Sequence, residues 1–518
     1  MTGSILFILE DTILLKYLLL LEVAILSSEV FMLYIGIDLG TSAVKILLMK
    51  DGGKVIKTVS ESYPVNFPQT GWSEQNPLDW YNGTVKGIKR ILEGFDGSEV
   101  GGISFGGQMH GLTLLDANGD VIRPAILWND GRSQEESDYL NNEIGRDFLS
   151  KHTGNISFAG FTAPKVLWVK KNEPENFAKI NKILLPKDYL AYRLSGVFAT
   201  DVSDASGTLY FDCENRKWSD KMIEILSMKK EWLPEVFESY EKIGTILPEV
   251  ADELGINKDC IIAAGAGDNA AAAVGMGIIG NGGCNISLGT SGTIFISSDK
   301  FKNDDQNSLH AFDHADGGYH LMGCMLSAAS CNKWWMSDIL DTEDFDKEQR
   351  GIETLGENTI FFLPYLMGER SPLNNPNCRA MFVGMSMDTT RLDMTQAVLE
   401  GVAFALRDSF ECAKKMGLEI TSSSICGGGA KSKLWRQIVA NVLGIELTQT
   451  VNDEGPAMGA AILAAVACGE YKSVEEACNS IVIKHVSEVP DPEITARYEE
   501  KYKEFSKIYP AFKEAGLW

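Results

Sequence analysis

The sequence predicts an α/β protein made of two similar lobes docked around a cleft. Three observations lead there. The run Ile37-Asp38-Leu39-Gly40-Thr41-Ser42 returns loosely as Ile286-Ser287-Leu288-Gly289-Thr290-Ser291, and an echo about half a chain later points to two related units. Short apolar runs alternate with amphipathic stretches in both halves, as they do in α/β architectures. A length of 518 residues is too great for one ordinary hydrophobic core.

Each expected element has a local reason. The first echo lies between LYIGI and VKILLM, and the second between CNI and GTIFIS. Apolar runs on both sides of a Gly-Thr-Ser turn predict β-hairpins. Residues 77–95 predict a helix, opened by Pro77 and carrying apolar residues at helical spacing. A strand is expected over 100–105. In the second half the pattern predicts a long helix over 391–416, a strand over 423–426 and a helix over 431–443. A strand over 446–449 and a helix over 455–468 follow. No Pro- or Ser-rich linker intervenes, so the lobes should dock closely. They should divide near Gly280-Asn281-Gly282-Gly283, giving lobes of residues 32–280 and 281–518.

Residues 1–31 stand apart. They are apolar, but Glu10, Asp11, Lys16 and Glu22 interrupt them, whereas a membrane span wants about 20 largely uncharged residues. They lack the basic start of a signal peptide and the basic polar face of a surface-lying helix. The expectation is that the natural start is Met32, where the first strand begins. A helix packed on the body and a weak membrane anchor are the alternatives.

With 71 acidic and 47 basic residues, the net charge is −24. That excludes a nucleic-acid binder of the usual basic kind. An anionic ligand must then be held by backbone N–H groups, helix N-termini or a bound cation. Ten scattered cysteines form no C-x-x-C pair and no zinc-finger spacing. They predict reduced thiols in a cytoplasmic protein.

Several turns carry candidate chemistry. The N–H groups and hydroxyls of Gly40, Thr41 and Ser42 suit a phosphate. Asp38, at the strand end, suits Mg²⁺, which prefers few carboxylates and many waters. A plain hairpin, with Asp38 bonding the turn, fits the same residues. The second Gly-Thr-Ser favours the functional reading, because two facing turns would grip phosphates from both sides. Gly265-Ala266-Gly267-Asp268-Asn269 joins a strand to a helix, where α/β proteins place catalytic groups. Asp268 there suits a general base, but its position equally suits an N-cap, the stronger reading from the residues alone. The same stretch fits G-x-G-x-x-[GA], yet no acidic residue lies between Asn269 and Ser298, which argues against a dinucleotide fold. Gly427-Gly428-Gly429-Ala430-Lys431-Ser432 is no P-loop, though its backbone suits a nucleotide. Gly106-Gly107-Gln108-Met109-His110-Gly111 can expose His110 to a ligand; a packing histidine is the alternative. Trp128-Asn129-Asp130-Gly131-Arg132 offers an aromatic wall with donors and acceptors, as sugar sites do. The acidic run over 341–346 is expected to be solvated surface.

In this order the motifs resemble those of the FGGY carbohydrate kinases, from Met32 to nearly the C-terminus. IGIDLGTS at 35–42 is similar to the family's first phosphate motif and SLGTSG at 287–292 to its second. CGGGAKSKLWRQ at 426–437 is similar to its adenosine motif. GWSEQNP at 71–77, FTAPKVLWV at 161–169 and LPYLMGERSP at 363–372 are also family-like. Gln108–Gly111, Ile126–Arg132 and Leu185–Tyr189 resemble the branch that acts on D-xylulose.

The resemblance implies a two-lobed actin/Hsp70-like (ribonuclease H-like) ATPase fold, ATP and Mg²⁺ as cofactors, and phosphorylation of D-xylulose. It implies Asp268 as general base and Asp38 as organiser of Mg²⁺. Met109 and His110 would contact the sugar, with Asn129, Asp130 and Asn269 beside it. Gly40, Thr41, Ser42, Thr290, Gly428 and Gly429 would contact ATP. A homodimer is expected on the resemblance alone. The rivals are a kinase for another ketose or polyol, such as L-ribulose, and an actin- or chaperone-like ATPase indifferent to sugar.

Overall fold

The computed structural model describes residues 32–304, 306–451 and 454–518; the expectation about residues 1–31 falls outside them. Both hairpins are present. In the first lobe β1 (Leu33–Leu39) pairs antiparallel with β2 (Ala43–Lys50), and β2 with β3 (Lys54–Ser62). On its other side β1 pairs parallel with β4 (Val100–Gly107). The sheet ends at β5 (Lys242–Thr245) and β6 (Ile261–Ala263), while the short β7 (Ala266–Gly267) extends the pairing along β4. The strand order is β5-β6-β4-β1-β2-β3.

The second sheet repeats this plan. β8 (Cys284–Leu288) and β9 (Gly292–Ser298) form the hairpin, flanked by β10 (His310–Asp313) and β11 (Tyr319–Met325). β8 pairs parallel with β12 (Ser422–Cys426), then come β13 (Glu446–Thr450) and an antiparallel edge, β14 (Lys484–Glu488). Reading outward from each hairpin, the strands match in order and direction, except that the second sheet carries one more antiparallel strand, β10, at its edge. The echo in the sequence is therefore an echo in topology.

Helices cover these sheets. α1 (Pro77–Ile91) lies on β2 and β3, with Asn76 capping it, and α2 (Pro186–Ser195) lies against β4. α3 (Asp268–Gly275) follows β7 directly. α4 (Arg391–Lys415) lies on β9 and β11, and α5 (Lys433–Leu443) packs on α4.

α6 (Pro456–Ala467) has the sequence PAMGAAILAAVA, apolar on every side, and residues 457–466 are all buried. A helix of that kind must be covered all round. It meets that need across the lobes: it lies on β1 and β4 of the first sheet and crosses α3. The approach is close enough to require glycine. A Cβ on Gly36 would lie 1.9 Å from the Ala457 carbonyl oxygen, and one on Gly459 would lie 1.8 Å from that of Ala271. α7 (Val474–Ile481) joins this packing, and α8 (Pro492–Glu514) closes the second lobe against α5. Among the described residues no helix is long and apolar enough to cross a membrane.

Candidate active site

Three neighbouring chain segments set the centre of the site. Asp38 on β1 is in register with Gly106 on β4, and Gly106 with Ala266 on β7. Asp38 and Asp268 thus rise side by side from the carboxyl ends of parallel strands, where α/β sheets open a crevice.

The N-cap reading of Asp268 is corrected. Gly267 holds the cap position and Asp268 is the first helical residue. Its Oδ1 accepts from Asn269, from the backbone N–H at 2.8 Å and from Nδ2 at 2.9 Å. The bonds to N–H groups further into the helix, which define a capping residue, are not made. Burial pushes the Asp268 carboxyl up to about 7, with the charge of Asp38 adding to it and Asn269 opposing. Burial likewise raises Asp38 to about 6, against the attraction of Lys45. A carboxylate titrating near neutrality is what a general base needs.

A cavity of about 340 Å³ opens beside this pair. Met109, His110, Trp128, Asp268, Asn269 and Arg370 line it, with Ser291, Gly292 and Thr293 as the facing wall. His110 is fixed from several directions. Its backbone is left-handed, at φ 67°. Its Nδ1 donates to the Gly207 carbonyl at 2.7 Å, and its ring stacks on Phe161 at 4.6 Å. The His110 carbonyl accepts from Lys165 Nζ at 2.8 Å and from Thr162 Oγ1 at 3.2 Å. Burial, then the nearby Lys165 charge, lowers the imidazole to about 3. The ring is neutral, and with Nδ1 donating, Nε2 is an acceptor. Burial also lowers Lys165 itself to about 7.

A larger cavity, of about 800 Å³, lies against the second lobe. Gly289 and Thr290 line it with Gly428, Gly429 and Trp435. The second Gly-Thr-Ser turn therefore separates the two cavities, with Gly289–Thr290 on one side and Ser291–Thr293 on the other. Gly428 faces open space, since an added Cβ would meet nothing within 4 Å.

Some predicted residues sit elsewhere. Asp130 is buried and does not line the smaller cavity. Its carboxylate takes Ser73 N–H at 2.6 Å and pairs with the Arg132 guanidinium at 2.7 Å. Arg132 in turn stacks 3.7 Å over Trp72. Asp130 thus secures its own turn and has no free oxygen to offer a sugar. Asn129 is exposed and also outside the lining. In the first turn, the Gly40 N–H is spent on the Ala43 carbonyl at 3.1 Å, which removes it as a phosphate donor. Thr41 Oγ1 accepts from Trp128 Nε1 at 3.0 Å, tying that turn to the cavity, and Ser42 is exposed. The acidic run is exposed as expected, but Glu343 and Asp346 also form a wall of the larger cavity. Lys165, Arg370 and Trp435 were not singled out as site residues. Their only signal was their place inside the three longer family-like segments.

Comparison with known proteins settles the family. The models for the N- and C-terminal domains of the FGGY family of carbohydrate kinases match residues 33–275 and 284–468. The chain belongs to this family. The kinase is 40 % identical over 481 residues to the xylulose kinase of Escherichia coli K12, covering 92 % of this chain and 98 % of that one. It is 36 % identical over 485 residues to the xylulose kinase of Bacillus subtilis 168, covering 93 % and 97 %. A crystal structure described as a xyloylose kinase from Brucella ovis matches with a TM-score of 0.88 at 38 % identity, covering 93 % of this chain and 100 % of that one. The kinase is accordingly a phosphotransferase with the two-lobed actin/Hsp70-like fold.

Proposed function

We propose that the kinase transfers the γ-phosphoryl group of ATP to the 5-hydroxyl of D-xylulose. The observation that carries this reading is the second Gly-Thr-Ser turn, which stands between the two cavities with Asp268 on the smaller side. A sugar in that cavity and a nucleotide in the larger one would meet at this turn. The relatives named xylulose kinase, matched over nearly their whole length, support the choice of sugar.

Asp268 takes the proton from the attacking hydroxyl. Asn269 steadies its carboxylate, and Asp38 helps hold its basicity near neutrality. His110 offers Nε2 as acceptor to a sugar hydroxyl. Met109 packs under the sugar, and Thr290, Gly428 and Gly429 lie along the nucleotide. Thr41 and Ser42 face the phosphates from the first lobe. Most of the rate comes from positioning, because phosphoryl transfer leaves little covalent work to the protein.

Asp38 fits Mg²⁺. Its carboxylate accepts no hydrogen bond from the described residues, and its burial is opposed only by Lys45. Mg²⁺ suits such a lone carboxylate, because it is held by few carboxylates together with water and phosphate. When bound, Mg²⁺ neutralises phosphate charge.

We assign residues 32–280 to the sugar and the base and 281–518 to the nucleotide, with α6 packed across the division. The ten cysteines, scattered without C-x-x-C pairs, support a cytoplasmic location. The homodimer rests on the family resemblance and is read by sedimentation. ADP release with Mg·ATP over a panel of ketoses and polyols tests the function. Strong stimulation by D-xylulose is expected, and turnover indifferent to sugar would overturn it.

A further inference from the structure

Behind the base lies a group of charges that the reaction above does not use. Lys187, Asp188, Asp201 and Asp204 are each at most 1 % exposed. Lys187 Nζ sits 2.6 Å from Asp188 Oδ1, 2.8 Å from Asp201 Oδ1 and 3.7 Å from Asp204 Oδ2. Burying ions costs several kcal/mol apiece unless their geometry and hydrogen bonds are good.

The bonds leading out of the group converge on the site. Asp201 Oδ2 accepts from Ser203 N–H at 2.8 Å, from Ser203 Oγ at 2.5 Å and from Ser239 Oγ at 2.6 Å. Ser203 Oγ in turn accepts the N–H of Gly267 at 3.1 Å, the residue just before Asp268. Four residues further along the same segment, the Gly207 carbonyl holds His110 Nδ1. Ser206 Oγ accepts the N–H of Asp313 at 3.2 Å, on β10 of the second lobe. The Lys187 stem lies under the sugar turn: a Cβ on Gly107 would come within 2.7 Å of the Lys187 Cβ. Gly207 and Gly267 close on Met109 from two sides, each leaving no room for a Cβ.

We propose that Lys187 is a positioning residue, which through Asp201 and Ser203 fixes the turn carrying Asp268 and through the 201–208 segment and Gly107 fixes the turn carrying Met109 and His110. One buried segment thus sets the distance between base and sugar. Burial opposes the Lys187 charge, but the three aspartates outweigh it and keep the ammonium protonated. Burial pushes the Asp204 carboxyl well up, against Lys187, and neither of its oxygens is hydrogen-bonded.

The proposal rests on Asp268 being the base. The test measures kcat per nucleotide-binding site, counted by titration with a fluorescent ADP, in Ser203→Ala and Lys187→Met. A misplaced reacting group costs up to about a hundredfold. Ser203→Ala should lower kcat about tenfold or more with KM for ATP within about twofold of wild type, and Lys187→Met should lower it further. Counting sites removes the effect of misfolded enzyme, and Ser203→Ala decides the matter if Lys187→Met does not fold. Unchanged kcat per site in Ser203→Ala would overturn the proposal. An equal worsening of KM for ATP would do so too, because it would show general loosening. Asp268→Asn is measured alongside: if it stays active the base reading fails, whereas an inactive Asp268→Asn with a fully active Ser203→Ala sinks only the positioning unit.

Discussion

Replacing Asp268 with Asn separates catalysis from stability in opposite directions. The side chain keeps its shape, and no capping bond is lost, because Gly267 occupies the cap. Loss of a general base costs about 10²–10⁴ in rate. Stability should move the other way. Burial raises the folded-state carboxyl from its ordinary 3.8 to about 7, so between those values the folded state binds more protons than the unfolded one. Stability from this group is then fullest below about pH 4 and falls as pH rises through 7. The whole shift corresponds to roughly 4 kcal/mol, and solvent in the cavity reduces that to a few. The amide carries no charge, so Asp268→Asn should melt higher than wild type at pH 8 and by a much smaller margin at pH 4.5. Differential scanning fluorimetry reads the melting, and coupled ADP release reads the turnover. Near-normal turnover would refute the base. A lower Tm than wild type at pH 8 would refute the reasoning from buried charge.

The same carboxyl predicts that kcat/KM for the sugar rises with pH through an acid limb near 7, since the base must be ionised; a flat profile from pH 5.5 to 8 would contradict it. Gly428→Ile should fold normally, because its Cβ has open space, but should raise KM for ATP at least about tenfold by filling the larger cavity. Equal KM values in the two enzymes would place the nucleotide elsewhere. Gly459→Ala should destabilise the protein by about 1–3 kcal/mol or more, because its methyl would lie 1.8 Å from the Ala271 carbonyl oxygen. A wild-type urea midpoint would show that the α3–α6 crossing yields freely.

The hairpins were legible because each turn is bounded by strands whose apolar residues pack into a core. The larger repeat followed from them. Asp130 was not legible, because whether a turn carboxylate faces a ligand or a neighbouring guanidinium depends on a side-chain direction that spacing does not encode. The Asp268 cap was displaced by one residue, since the pairing of β7 with β4 carries extended structure up to Gly267 and starts the helix immediately after. The 341–346 run looked like surface because it is surface; a cavity wall open to solvent has the same composition. α6 was legible as a helix, but the sheet that covers it was not, because its partners β1 and β4 lie in the other half of the chain. Lys187 was visible only as a family-like residue, because its three aspartate neighbours come together through folding.

The path of α6 has a consequence for how the chain comes into being. A ribosome delivers the first sheet complete once β6 and β7 have emerged, yet the helix that covers its β1–β4 face comes almost two hundred residues later. Until then that face is open to solvent, and the first lobe produced waits on the second for its cover. Severing the chain between the sheets would leave the earlier half without its lining, so the two halves should be made and matured as one molecule.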